Sequence, residues 1–157
     1  MAFRRAAVPL AALLLTGCTA LPVDTDGTFD RASGGTLVVG VFEHEPWTLI
    51  DDNGQIRGTE VGYITSFADS IDADITWSTG PESVLAERMK DGEVDVIIGG
   101  LTAASPWSSE MALTRPYRSV PGPEGEEEKM VMGVRLGENE LLVNLERHLA
   151  REFGEIS

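Results

Sequence analysis

EVDVIIGGLTAASPWSSEMALTRPY, from Glu93 to Tyr117, is the stretch on which the fold turns. Val94 to Ile98 is a short β-branched run with one carboxylate, Asp95, and it closes on the pair Gly99 and Gly100. Such a run, bounded by glycines, reads as a buried strand that stops at a tight backbone turn. The residues after it read as a loop: Leu101 to Ser105 is small and hydroxyl-rich, Pro106 and Trp107 punctuate it, and Thr114 to Tyr117 ends in an aromatic beyond a proline. A buried strand that ends in glycines and leads into hydroxyls and an indole is a common way for an α/β sheet to present a small-molecule site.

Working back toward the N-terminus, the helical and strand periods alternate. Leu37 to Phe42 is a continuous apolar run suited to a strand covered on both faces. It ends in Glu43-His44-Glu45-Pro46-Trp47, and the Asn53-Gly54 turn signal folds Trp47 to Ile50 against Gln55 to Arg57. From Glu60, the residues Val61, Ile64, Phe67, Ala68 and Ile71 form one apolar helix face. Asp74 to Ser78 reads as a second strand with Ile75 and Trp77 inward. Ser83 to Asp91 reads as a second helix with Val84, Leu85 and Met89 inward, stopped by Gly92.

Working forward, Ser119 to Glu128 holds two prolines, two glycines and an acidic run, and supports no lasting helix or strand. Met130 to Val134 is one more apolar strand, and Leu141, Leu142, Leu145, Leu149 and Phe153 mark one side of a closing helix. The order of elements predicts an α/β fold, a three-layer sandwich around a mostly parallel sheet, spanning residues 36–157.

The chain has 157 residues, is 42% hydrophobic and carries a formal charge of -14, so one domain with a real core is expected. Met1 to Cys18 holds Arg4 and Arg5, then an apolar run from Ala6 to Leu15 that is too short to span a bilayer. Leu15-Thr16-Gly17-Cys18 resembles the bacterial lipoprotein signal, which implies removal of residues 1–17, a lipid on Cys18 and a place at the extracytoplasmic face of the cell envelope. Cys18 is the only cysteine, so no disulfide within the chain is available. Residues 18–35, rich in Thr, Asp, Gly and Pro, read as a flexible tether. Loss of Arg4 and Arg5 with the signal takes the charge to -16, since every acidic residue follows Cys18. A chain so acidic is not drawn by charge to nucleic acid or to anionic lipid.

Thr36 to Tyr117 resembles the first lobe of the bacterial extracellular solute-binding proteins of family 3, which capture substrates for polar amino acid ABC transporters. The residues that carry the likeness are LVVGV with its acidic and aromatic turn, DDNGQIRG before the first helix, and DGEVDVIIGGLTA running into TRPY. MVMGVRLGENELLVNLERHLAREF resembles the return of such chains to that lobe. The resemblance implies a single lobe of a type II periplasmic binding protein fold. It further implies a small-molecule solute as ligand and an ABC permease as partner, while the signal ending in Cys18 implies the lipid anchor to the membrane.

Two departures qualify what the resemblance implies. Arg118 to Glu128 stands where a second lobe of about a hundred residues is expected. A one-lobed cleft leaves one face of a ligand in water, which predicts weak binding unless a dimer mate or another chain supplies the missing half. Many family members also place an arginine for the ligand α-carboxylate seven positions after the strand-ending glycine, and counting from Gly100 that position is Trp107. Indole cannot make the paired contact that guanidinium makes with carboxylate, so an aromatic, apolar or cationic solute is expected over a zwitterionic amino acid.

The expected ligand-binding residues are Glu43, Trp47, Glu82, Gly100, Thr102 and Trp107. Glu43, with Glu45 beside it, can neutralise a cation at the end of the first strand, and Glu82 stands at the entry to the second helix. Gly100 and Thr102 are expected to offer a backbone and a hydroxyl donor. Trp47 and Trp107 have either a core role or a cleft role. His44 has no second histidine at ligand spacing, so no metal is expected. No cofactor motif is present, because GGLT lacks the lysine of a phosphate loop, and no Ser or Cys has a recognisable base partner. Carboxylate catalysis by Glu43 or Glu60 is conceivable on this fold but has no supporting motif, which leaves a non-enzymatic role. Beside solute binding stands an alternative of another class: an interaction or regulatory lipoprotein whose exposed cleft docks a protein.

Overall fold

Leu37, Val39 and Val41 face one side of the sheet, and Val38 faces the other, so the opening strand is covered on both faces as its unbroken apolar run requires. The computed structural model describes residues 22–123 and 125–154. Residues 1–17 and Cys18, expected from sequence to be an export signal and its lipidation site, lie outside the described residues. Among the described residues no helix is long and apolar enough to cross a membrane.

A short helix α1 (Thr28–Ala32) precedes β1 (Thr36–Val41). The small hairpin of β2 (Leu49–Ile50) and β3 (Ile56–Arg57) follows, as the Asn-Gly turn predicts. Next come α2 (Thr59–Ser70), β4 (Asp74–Thr79), α3 (Glu82–Lys90) and β5 (Val96–Ile98). The chain continues through β6 (Met111–Leu113), β7 (Arg118–Pro121), β8 (Glu127–Met130) and β9 (Gly133–Arg135) to α4 (Asn139–Phe153).

The main sheet has the order β4-β1-β5-β9-β6. β1 is parallel to both β4 and β5, with Val39 opposite Trp77 and Val96. β9 runs antiparallel between β5 and β6, so four of the five strands share one direction. Packed on one face are α1, α2 and α4, where Ile64, Phe67, Leu141 and Leu145 are fully buried against β1 and β5. On the other face, Leu85 and Met89 of α3 pack with Ile97 and Met111. This is the expected three-layer α/β arrangement, and the closing helix does lie back against the opening strand.

Several details differ from the sequence reading, among them β6, an edge strand of the main sheet within the stretch read as a loop. The tether ends well before residue 35, because Asp24 pairs with Glu138 in a β-bridge and α1 packs into the core through Ala32. Asp24 Oδ1 accepts the N–H groups of Glu140 (2.5 Å) and Leu141 (3.0 Å), and its Oδ2 accepts that of Phe29 (2.7 Å). One side chain therefore caps two helices, a role that composition cannot reveal because its partners in α4 lie more than a hundred residues away. Val84 is exposed rather than inward, and Ala86 takes the buried position between Leu85 and Met89.

The segment after Tyr117 is a regular hairpin, not an unstructured link. Arg118 to Pro121 pairs with Glu127 to Met130, and Val120 and Met130 reach the core from a mostly polar ribbon. Pro121 sits at the strand end, where its missing N–H costs little. The single strand expected over Met130 to Val134 is divided between β8 and β9, because the intervening backbone turns to other partners. Val131 N–H donates to Leu101 O (2.9 Å), and Met132 N–H donates to Thr114 Oγ1 (3.0 Å).

Candidate functional site

Gly99 and Gly100 end β5 with φ of 152° and 75°, backbone that L side chains rarely adopt. Space forbids side chains here as well. A Cβ on Gly99 would stand 2.5 Å from the Phe42 ring, and one on Gly100 would stand 2.5 Å from Trp47 Cδ1 and 2.6 Å from His44 Nδ1. The turn is thus a seat for three rings of the loop that follows β1.

Beneath the seat lies Glu60, on the apolar stripe of α2 and completely buried. Its Oε2 accepts the N–H groups of Gly99 (2.7 Å) and Gly100 (3.0 Å), and its Oε1 accepts the Tyr117 hydroxyl. Burial lifts the Glu60 carboxyl above its ordinary range, although these three hydrogen bonds and nearby His44 pull it down. Tyr117 is pushed up in turn, first by burial and then by the Glu60 charge. His44 Nδ1 lies 3.0 Å from Gly99 O, and a carbonyl only accepts, so that nitrogen carries the proton. The His44 N–H and the Thr48 hydroxyl and carbonyl tie the loop into one unit (3.1 and 3.0 Å), with Thr48 Oγ1 donating to Phe42 O (2.5 Å).

Two of the expected residues meet in one place. Glu43 and Glu82 line an open groove of about 450 Å³ with Phe42, Ile50, Thr79, Gly80 and Pro81, at the ends of β1 and β4 and the start of α3. Burial raises the Glu82 carboxyl above the ordinary range, opposed by the Ser105 hydroxyl and by His44. The groove lies at the carboxyl ends of parallel strands, where open α/β sheets hold ligands. None of its lining residues is a lysine or an arginine.

The other expected residues are placed differently. Trp47 is 8% exposed and packs edge-on to Tyr117 at 6.4 Å, so its indole belongs to the core rather than offering a face to a ligand. The Gly100 N–H is already donated to Glu60, so it does not serve as a cleft donor. Thr102 is half-buried, and its backbone forms a β-bridge with Met130. Trp107 is half-buried on a short 3-10 turn, Pro106–Ser109, with its N–H accepted by Ser105 Oγ (3.3 Å) and its ring against the α3 side of the core. It does not line the groove of Glu43 and Glu82.

Glu60 is what the sequence reading missed as an organiser of the site. Its signal was present: Glu60, Ile64, Phe67 and Ala68 share the inward stripe of one helix, and a carboxylate on such a stripe needs buried donors.

A helix-flanked, mostly parallel sheet with a groove at its carboxyl edge matches one lobe of a periplasmic binding protein fold. The chain belongs to the bacterial extracellular solute-binding proteins, family 3, whose family model matches residues 37–150. Among solved structures it is similar to the arginine-bound form of domain 1 from TmArgBP, at 25% identity and a TM-score of 0.68, over 78% of this chain and 97% of that one. It is similar in fold to the ancestral amino acid-binding protein AncCDT-1, a precursor of cyclohexadienyl dehydratase, at 14% identity and a TM-score of 0.67, over 79% and 92% of the two chains. A Salmonella typhimurium periplasmic binding protein of high arginine specificity shares the fold at 10% identity and a TM-score of 0.66, over 76% and 94%. No curated protein matches the chain by sequence.

Proposed function

We propose that the chain is a lipid-anchored, extracytoplasmic solute-binding protein working with a single lobe, and that it holds a cationic solute against Glu43 and Glu82. The observation that carries this reading is the shared groove of those two carboxylates, lined by no cation of the protein. An ammonium or guanidinium group entering it meets two charges that have no partner of opposite sign in the groove. Arginine bound to an isolated domain 1 of TmArgBP supports the idea that one lobe is enough to retain such a ligand.

A carboxylate on the ligand has no arginine to meet in this groove, so an amine or guanidine without one is the better fit. Cys18 supplies the anchor, and a transporter permease receives the solute. A second chain, another copy included, covers the open side where tighter binding is required.

Thermal melting of the full chain with agmatine, L-arginine and L-glutamine tests the reading. Agmatine is expected to raise Tm saturably, arginine less and glutamine not at all. Ligand at a hundred times Kd adds about 2.7 kcal/mol. Glu82→Gln is expected to remove the shift while leaving the unliganded Tm nearly unchanged. No saturable shift with any cation, together with specific capture of a protein through the groove, would replace this reading with a docking role.

A further inference from the structure

On the α4 side of the sheet the charge reverses. Arg115, Arg147 and Arg151 line an open groove of about 290 Å³ with Ala150. Ten lysines and arginines follow Cys18 in a chain of net charge -14, so three in one groove is a concentration against the prevailing sign.

Arg115 is held in place from two sides of its own residue. Its backbone N–H donates to Glu146 Oε1 (2.7 Å) and its Nε to Glu146 Oε2 (3.1 Å). That clamp engages the Nε edge and leaves the terminal nitrogens of the guanidinium for another acceptor. Arg147 and Arg151 stand one turn apart on α4, both exposed, and among the described residues neither has a carboxylate within ion-pair distance. Like charges at that spacing repel. The helix dipole favours cations near the end of α4, but it does not bring Arg115, which arrives from the loop after β6.

We infer that this groove binds a phosphate-type oxyanion, with Arg115 as the fixed donor and Arg147 and Arg151 closing on it. Guanidinium forks match tetrahedral oxyanions with two parallel N–H donors each, and a doubly charged group relieves the repulsion between three cations that a single carboxylate leaves uncompensated. The same chemistry is offered by a soluble phosphate and by the phosphate of an anionic lipid headgroup. The inference does not depend on the carboxylate groove, which opens between β1, β4 and α3.

The test titrates the full chain calorimetrically with inorganic phosphate, using matched sodium chloride as the ionic control, and sediments it with vesicles of phosphatidylglycerol or of phosphatidylcholine. Saturable phosphate binding that Arg147→Gln/Arg151→Gln weakens about tenfold or more supports a soluble ligand. Arginine-dependent binding to phosphatidylglycerol vesicles alone supports the lipid headgroup. Circular dichroism melts of the double variant serve as the folding check. The inference is overturned if neither phosphate nor vesicle binding changes with the arginines, or if polyglutamate binds through them while phosphate does not. Glu82→Gln is expected to leave the phosphate response intact.

Discussion

Glu60 brings two backbone N–H groups and a phenol to one buried carboxylate, and so fixes the turn on which the loop after β1 rests. Replacing it with alanine strands three buried donors, each costing about 1–3 kcal/mol, which is enough to threaten the fold. Glu60→Gln keeps an acceptor for the glycines and removes the charge. Because the folded carboxyl is raised, its contribution to stability is fully present below the ordinary value of 4.5 and is lost as pH rises through the folded value. The Tm of Glu60→Gln relative to the native chain should therefore climb between pH 4 and pH 7. A difference that stays flat across those melts would mean that Glu60 titrates alike in the folded and unfolded chains. Tyr117→Phe removes one buried hydrogen bond to Glu60 and should cost about 1–3 kcal/mol in denaturant titrations, with the main-sheet packing retained.

At the scale of elements, periodicity and turn signals located β1 to β5, β9 and α2 to α4, but not α1, β6, β7 or β8, because one apolar stripe or alternation is a local property of the chain. Val61, Ile64 and Phe67 of α2 and Leu141, Leu145 and Leu149 of α4 are buried as their spacing requires. The N-terminal segment was read wrongly for the opposite reason: Asp24 and α1 are polar and short, and their stability comes from α4. Glu138 returns the capping, its carboxylate accepting the N–H groups of Asp26 and Thr28 at 3.0 Å each. Deleting residues 1–21 should leave Tm within about 2 °C, whereas deleting residues 1–35 should lower it by about 5–10 °C through lost caps and the buried Ala32. Equal melting of the two truncations would restore the tether reading of the whole segment. The β7–β8 hairpin is not legible in the sequence because its strands are mostly polar, so cross-strand pairing more than burial makes them regular.

For the molecule as a whole, a chain working as a single lobe, as proposed, has no hinge to close. Saturating agmatine should therefore leave the radius of gyration unchanged in small-angle scattering, with the mass that of one chain. A doubled mass on adding ligand would show that a second copy serves as the lid, and a contraction at constant mass would show that the chain closes on itself. The acidic groove and the arginine groove also belong to this scale, since each gathers residues from separate elements: Glu43 with Glu82, and Arg115 with Arg147 and Arg151.

The sequence by itself determined the α/β class, the order of the main elements and the family, because strand runs, helix stripes and glycine turns are written within short windows. It also placed Glu43 and Glu82 at strand and helix ends, where ligand residues gather. Only the tertiary structure decided that Trp47 is core, that the Gly100 N–H is spent on Glu60 and that one aspartate caps two helices. Those outcomes rest on donors and acceptors brought together from distant parts of the chain, and a buried polar group takes whichever partner the packing leaves within reach.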